Sequence, residues 1–174
     1  VILPGTMLQG KTKVGKNCTL GPDTQLTDVI CGDGNHLNRD MHPGELGDNN
    51  KIGPFVHLRP ETCLHNDIKI GNFVEVKFDV DDGTKLPHLI YCGDSDLGKN
   101  VNFGCGTVTV NFDGKNKHAA SIDEHAFIRC NTNLVAPVHI GARAFTAAGS
   151  TITKDVPAKA LAVGRAKQVN IEIG

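Results

Sequence analysis

The chain has 174 residues, with 18 Lys plus Arg against 19 Asp plus Glu and a formal net charge of −1. That balance argues against a protein held to phosphates by a basic face, so nucleic acid is not an expected partner. Tryptophan is absent and aromatics are 5%, which excludes a bulky aromatic core; no apolar run approaches the roughly 18 residues of a membrane span.

Apolar residues recur at every sixth position from the start: Ile2, Leu8, Val14, Leu20 and Leu26. The series resumes at Leu46, Ile52, Leu58, Leu64, Ile70 and Val76, then at Val80, Leu86 and Cys92, and slips once before Leu97 and Phe103. A last series holds Ile122, Ile128, Leu134 and Ile140, followed by Thr146 and Ile152. Four residues after many of these stands a small or β-branched residue, such as Thr24, Thr62, Thr84, Thr107 or Thr132, and the position immediately after is often glycine. A period of six does not fit an α-helix, whose inward positions recur every 3.6 residues. It fits a short strand followed by a corner, because offsets 0 and 4 share parity and face one side. Glycine supplies the backbone freedom that a tight corner needs. Three such sides close a coil of about 18 residues, and coils stacked roughly 4.8 Å apart make an all-β prism with thin aliphatic layers. An ordinary β-sandwich would not hold this register for so long.

The register breaks twice. One break covers His42 to Glu45, within Met41-His42-Pro43-Gly44-Glu45, and a longer polar one, 109–121, is expected to protrude as a functional loop. The repeats stop near Pro157, so residues 1–157 are expected to form the repeat domain and 158–174 a partly helical capping tail. The six cysteines include no Cys-x-x-Cys pair, which argues against a zinc ribbon or a thioredoxin-like site. No charged-then-apolar signal segment opens the sequence. Reduced thiols in the cytoplasm are therefore expected, rather than disulfides.

These hexads resemble those of the hexapeptide-repeat transferases, whose coils form a left-handed parallel β-helix. The left hand is implied by the resemblance alone, since crossovers between parallel strands are normally right-handed. Longer segments sharpen the match: Ile52-Gly-Pro-Phe-Val-His-Leu-Arg-Pro60, Ile70-Gly-Asn-Phe-Val-Glu-Val-Lys77, Leu86-Pro-His-Leu-Ile-Tyr91, Val110-Asn-Phe-Asp-Gly-Lys-Asn-Lys-His118, Asn133-Leu-Val-Ala-Pro137 and Ala147-Ala-Gly-Ser-Thr-Ile-Thr-Lys-Asp-Val156. Together they resemble the bacterial bifunctional N-acetylglucosamine-1-phosphate uridyltransferase/glucosamine-1-phosphate acetyltransferase family. The likeness covers essentially the whole chain but only the acetyltransferase half of that family. Its N-terminal nucleotidyltransferase domain is absent from this sequence, so uridylyl transfer is not expected. The resemblance implies acetyl transfer from acetyl-CoA to the amine of glucosamine 1-phosphate, giving N-acetylglucosamine 1-phosphate for cell-envelope precursors. It also implies a homotrimer with sites between subunits.

Site residues follow position by position. The substrate amine is protonated in water and must lose a proton before it attacks a thioester. His88 occupies the family's base position, and a histidine's ordinary pKa near 6.5 suits that task. Arg59 and Lys77 match positions that hold the sugar phosphate, one through a planar fork and the other as a point charge. Tyr91 and Asn102 match sugar-contacting positions. Cys105, Asn111, Phe112, Cys130, Ala148 and Arg165 match coenzyme A positions. Phe112 stands where the family usually has tyrosine, Cys105 where it has alanine and Cys130 where it has serine, and the turn after Lys77 is one residue short. No metal is expected: a zinc site of the γ-type carbonic anhydrase kind needs histidines stacked at offsets near 18, and of His36, His42, His57, His65, His118, His125 and His139 only His36 to His57 and His118 to His139 come close, each at 21. Another hexapeptide-class acetyltransferase and a non-catalytic oligomerising solenoid remain as alternatives; intact His88, Arg59 and Lys77 argue against the second.

Overall fold

The inward hexad positions are the core. In the computed structural model, which describes residues 1–38 and 44–173, Leu20, Leu64, Ile70, Leu86, Ile122 and Leu134 are all buried to 2% exposure or less. Short strands stack on three faces. One face runs from Lys13–Val14 through Val29–Cys31, Gly44–Leu46, Thr62–Leu64, Asp79–Val80, Ser95–Leu97 and Ala120–Ile122 to Val138–Ile140. A second carries Lys51–Ile52, the start of Lys69–Val76, the start of Lys85–Cys92, Asn102–Phe103, Phe127–Ile128, Phe145–Thr146 and Leu161–Ala162. The third carries Val56–Leu58, the ends of the same two long strands, Val108–Val110, Asn133–Val135 and Thr151–Ile152. Every pairing between these strands is parallel, and about eight turns form the left-handed parallel β-helix that the repeat implied.

Buried hydroxyls and amides tie the corners together. Thr84 Oγ1 donates to Gly98 O (2.8 Å) and accepts from Val101 N (3.0 Å), joining one coil to the next. Asn50, four residues after inward Leu46, does the same: its Nδ2 donates to His65 O (2.9 Å) and its Oδ1 accepts from Ile68 N (2.8 Å). Such bonds are worth about 1 kcal/mol each and matter most for what their absence would leave unsatisfied. Among the described residues no buried side-chain polar atom lacks a partner.

The structure departs from the sequence expectations at the ends and at the loop. Ile2 and Leu8, expected inward, are 63% and 43% exposed, because the first coil has a neighbour on one side only. No helix occurs among the described residues, so the tail is not helical. Stacking instead passes Pro157: Leu161–Ala162 pairs with Phe145–Thr146 before an exposed extended segment. The expected 109–121 loop is shorter, since Val108–Val110 and Ala120–Ile122 take in both its ends. What protrudes is 111–119, fastened by Asp113, whose Oδ1 accepts from Lys115 N (2.8 Å) and Asn116 N (2.7 Å) while its Oδ2 meets His118 Nε2 (2.7 Å). The bond from Asn116 N and then that from His118 hold its carboxyl down to about 2. Of the earlier break, Met41, His42 and Pro43 lie outside the described residues, while Gly44 and Glu45 begin a regular strand. No described helix is long and apolar enough to cross a membrane.

Candidate active site along one edge of the prism

The strand Lys85–Cys92 crosses an edge. Its first residues pair with Asn102–Phe103 on one face and Tyr91 pairs with Val108 on the next, while Leu89 at the bend has φ 51°. His88 stands exposed on that edge. Its Nδ1 lies 2.6 Å from Oδ1 of Asn72, its register partner on the preceding coil. An amide oxygen only accepts, so Nδ1 is the donor here, and in the neutral ring Nε2 is then the nitrogen with the lone pair, the tautomer a base requires. Asn72 was not singled out from the sequence. The signal was present, since Asn72 and His88 each stand three residues after a lysine, Lys69 and Lys85, that opens a long strand.

Register carries the edge onward. Asn102, Phe127 and Phe145 are successive partners, and three residues beyond each come Cys105, Cys130 and Ala148. Backbone bonds from Gly106 N to Leu89 O (3.0 Å), Asn131 N to Cys105 O (2.8 Å) and Gly149 N to Cys130 O (2.9 Å) keep the row in step. His88, Cys105, Cys130 and Ala148 thus follow one another along the edge over roughly 14 Å, three coil spacings. Arg165 closes the far end, with its Cδ 3.9 Å from where a Cβ on Gly149 would stand.

The next residue in each coil adopts left-handed backbone: Phe55, Phe73 and Leu89 up to the coil of His88, then Gly106, Asn131 and Gly149 beyond it. The first three are exposed and bulky, with the rings of Phe55 and Phe73 stacked at 5.2 Å. Beside this ridge lies an open groove of about 570 Å³ bordered by His57, Glu75 and Tyr91.

Polar side chains gather on the face past the bend. Lys77 Nζ is 3.0 Å from Asp94 Oδ1, and Asp94 Oδ2 accepts from Asn111 Nδ2 at 2.5 Å. Asn111 Nδ2 also reaches Tyr91 Oη at 3.4 Å. These side chains cross Gly93, where a Cβ would stand 2.5 Å from Tyr91 Oη and would push the Tyr91 ring and the Asn111 amide aside. Asp94 is 6% exposed. Burial acts to raise its pKa, but the bonds from Lys77 and Asn111 and the charge of Lys77 outweigh it and hold the carboxyl below its ordinary value. Asp94 was missed in the sequence because a lone carboxylate after a glycine carries no pattern. Arg59, one coil earlier, meets Glu75 at 3.3 Å in a solvent-exposed pair of little worth.

Not all the expected groupings form within one chain. Asn102 stands on the other side of the edge from Tyr91, in register with Lys85 and Phe127. Asn111, expected beside the cofactor, bonds to Asp94 and reaches Tyr91. Phe112, 56% exposed, bridges across the protruding loop to Lys117. All six cysteines are free. Burial pushes Cys31 and Cys92 up to about 12, whereas Cys105 is half-buried and Cys130 exposed.

No protein-family model matches the sequence. The chain is 51% identical over 174 residues to the bifunctional protein GlmU of a Geobacillus species, covering 99% of this chain and 38% of that protein. It is 52% identical over 172 residues to the bifunctional protein GlmU of Listeria innocua, covering 98% of this chain and 38% of that protein. The chain therefore resembles the C-terminal region of these proteins and spans 38% of the length of the relatives it matches. Among solved structures it superposes on a UDP-N-acetylglucosamine acyltransferase of Francisella novicida with a TM-score of 0.72 at 14% identity, covering 94% of this chain and 67% of that one. A UDP-N-acetylglucosamine acyltransferase of Bacteroides fragilis superposes with a TM-score of 0.60 at 16% identity, covering 90% and 69%. At these identities the two structures share the fold.

Proposed function

We propose that this chain, which resembles the C-terminal region of bifunctional GlmU proteins, transfers acetyl from acetyl-CoA to the amine of glucosamine 1-phosphate in the cytoplasm. The observation that carries this reading is the edge itself. An exposed histidine with a free Nε2 opens a row of small side chains, and a face with two cations and an amide–phenol pair adjoins it. The pantetheine arm of acetyl-CoA lies along Cys105, Cys130 and Ala148, with Arg165 toward its phosphates. The sugar lies across the bend, its phosphate toward Arg59 and Lys77 and its hydroxyls toward Tyr91. His88 Nε2 takes a proton from the substrate ammonium. The freed amine attacks the thioester carbonyl, a C–N bond forms, the C–S bond breaks, and the nitrogen gives up its second proton as the departing coenzyme A thiolate takes one, while the proton on His88 passes to solvent.

The working form is a homotrimer. Two features support it: the exposed Phe55–Phe73–Leu89 ridge beside His88, and an apolar tail in which Val169, Ile171 and Ile173 are at least 77% exposed. A second copy covering the ridge would bring its own Asn102 and Phe112 to the site, which accounts for their separation within one chain. Closed three-fold symmetry gives a particle of about 55 kDa from three chains of 18.5 kDa.

Thiol release from acetyl-CoA tests the chemistry. It should require glucosamine 1-phosphate, with unphosphorylated glucosamine a poor acceptor, and Arg59→Ala should mainly raise KM for the sugar phosphate. Equal rates on both sugars would point to a different acceptor. Sedimentation that shows only monomer at micromolar concentration would remove the assembly.

A further inference from the structure

A different set of side chains occupies the face built on Thr62–Leu64 and Asp79–Val80. Strand parity places Cys63 and His65 outward on one coil, and Asp79 and Asp81 outward on the next. Cys63 and Asp79 are direct register partners, because Leu64 pairs with Val80, sixteen residues on, through the short turn after Lys77. His65 N donates to Val80 O at 3.0 Å, which fixes the second pair in the same register. Cys63 Sγ, a ring nitrogen of His65 and a carboxylate oxygen of Asp79 all lie within 4.8 Å of one another. The His65 Nε2 to Asp79 Oδ1 separation is 3.1 Å.

Thiolate, imidazole and carboxylate form a donor set suited to zinc and to its close neighbours among the divalent metals. Metal–ligand lengths of about 2.0–2.3 Å place tetrahedral donors roughly 3.3–3.8 Å apart, within reach of this cluster. The other ring nitrogen of His65 faces Asp81 Oδ1 at 3.9 Å, on the side where metal-bound histidines commonly find an orienting carboxylate. Asp82 is within reach of the same histidine but is already engaged. Its Oδ1 accepts from Asn66 N (3.0 Å) and Asn66 Nδ2 (3.1 Å), and its Oδ2 meets Lys99 Nζ at 3.2 Å.

We propose that Cys63, His65 and Asp79 form a zinc site that clips two adjacent coils together, with Asp81 positioning His65 and solvent completing the coordination. On binding, the Cys63 S–H proton passes to solvent as the sulfur–metal bond forms. A search for histidines one coil apart passes over this site, because it combines an i, i+2 pair at the end of one strand with a carboxylate sixteen residues on. It lies on the face opposite the His88 edge and does not depend on the acetyl-transfer reading.

The full chain, stripped with a chelator, should bind Zn2+ stoichiometrically by calorimetry and gain melting temperature. With Co2+ it should show a thiolate-to-cobalt charge-transfer band that Cys63→Ser abolishes. Asp81→Asn should weaken Zn2+ binding about 10–100-fold, as expected for an outer partner of a ligating histidine, and Asp82→Asn should leave it unchanged. A Co2+ spectrum without the thiolate band, or equal Zn2+ isotherms for the unmodified chain and Cys63→Ser, overturns the proposal.

Discussion

The two halves of the His88 edge share one backbone conformation and differ in side-chain volume. Phe55, Phe73 and Leu89 sit at φ 57°, 58° and 51°, while Gly106, Asn131 and Gly149 continue the row at 75°, 54° and 70°. Left-handed backbone costs a bulky L-residue about 1–2 kcal/mol and glycine almost nothing. The bulky half therefore holds unfavourable backbone while presenting exposed apolar side chains, and the small half is relaxed and bare. On the proposed reading, the bulky half would meet another copy of the chain and the small half would admit a thin, extended acyl-CoA arm, with His88 at the junction.

Removing the junction should have the largest effect. His88→Ala should keep the fold and acetyl-CoA binding yet lose about 10²–10⁴ in turnover, the range for a general base. Turnover near that of the unmodified chain would assign the proton transfer elsewhere. Next is the buried carboxylate beside the ridge. Asp94→Ala leaves Lys77 without its partner; because Lys77 is 18% exposed, the loss should be about 2 kcal/mol, below the 3–5 kcal/mol of a fully buried pair. The sign of the pH dependence follows from the carboxyl lying below its ordinary 3.8 when folded. Its contribution is complete above about pH 3.8 and is lost as pH falls through the lower, folded value. Urea titrations of both proteins should therefore differ at neutral pH and converge in acid, and parallel curves at all pH values would contradict the clamp.

Asn72 tests the ridge side of the junction more finely. Asn72→Ala removes one hydrogen bond of about 1 kcal/mol and should lower turnover about fivefold. Asn72→Asp should instead move the acid limb of the rate profile to higher pH, because a carboxylate favours the charged imidazole. An unmoved profile would separate Asn72 from the base. The smallest effect belongs to the channel side, where a maleimide should label exposed Cys130 before buried Cys92, and saturating acetyl-CoA should slow the labelling. Equal labelling with and without acetyl-CoA would take Cys130 out of the channel.

Six-residue spacing made the core legible at Leu64, Ile70, Leu86, Ile122 and Leu134, because inward position in a coil depends on strand parity and on corners that local residues form. Thr84 and Thr107 were legible for the same reason. The coil ends were not: Ile2 and Leu8 fit the period but lack a neighbour on one side, and that is a property of the stack. His88, Lys77 and Tyr91 were legible as residues through their flanking motifs. Asn72, Asp94 and the Cys63–His65–Asp79 cluster depend on which residues stack across coils, and each irregular coil shifts that pairing. The sequence by itself determined the repeat, the coil and the kinds of side chain on each edge. Only the tertiary structure decided which of them touch, since contacts between coils are set by the summed length of everything between them, where one missing residue moves every later partner.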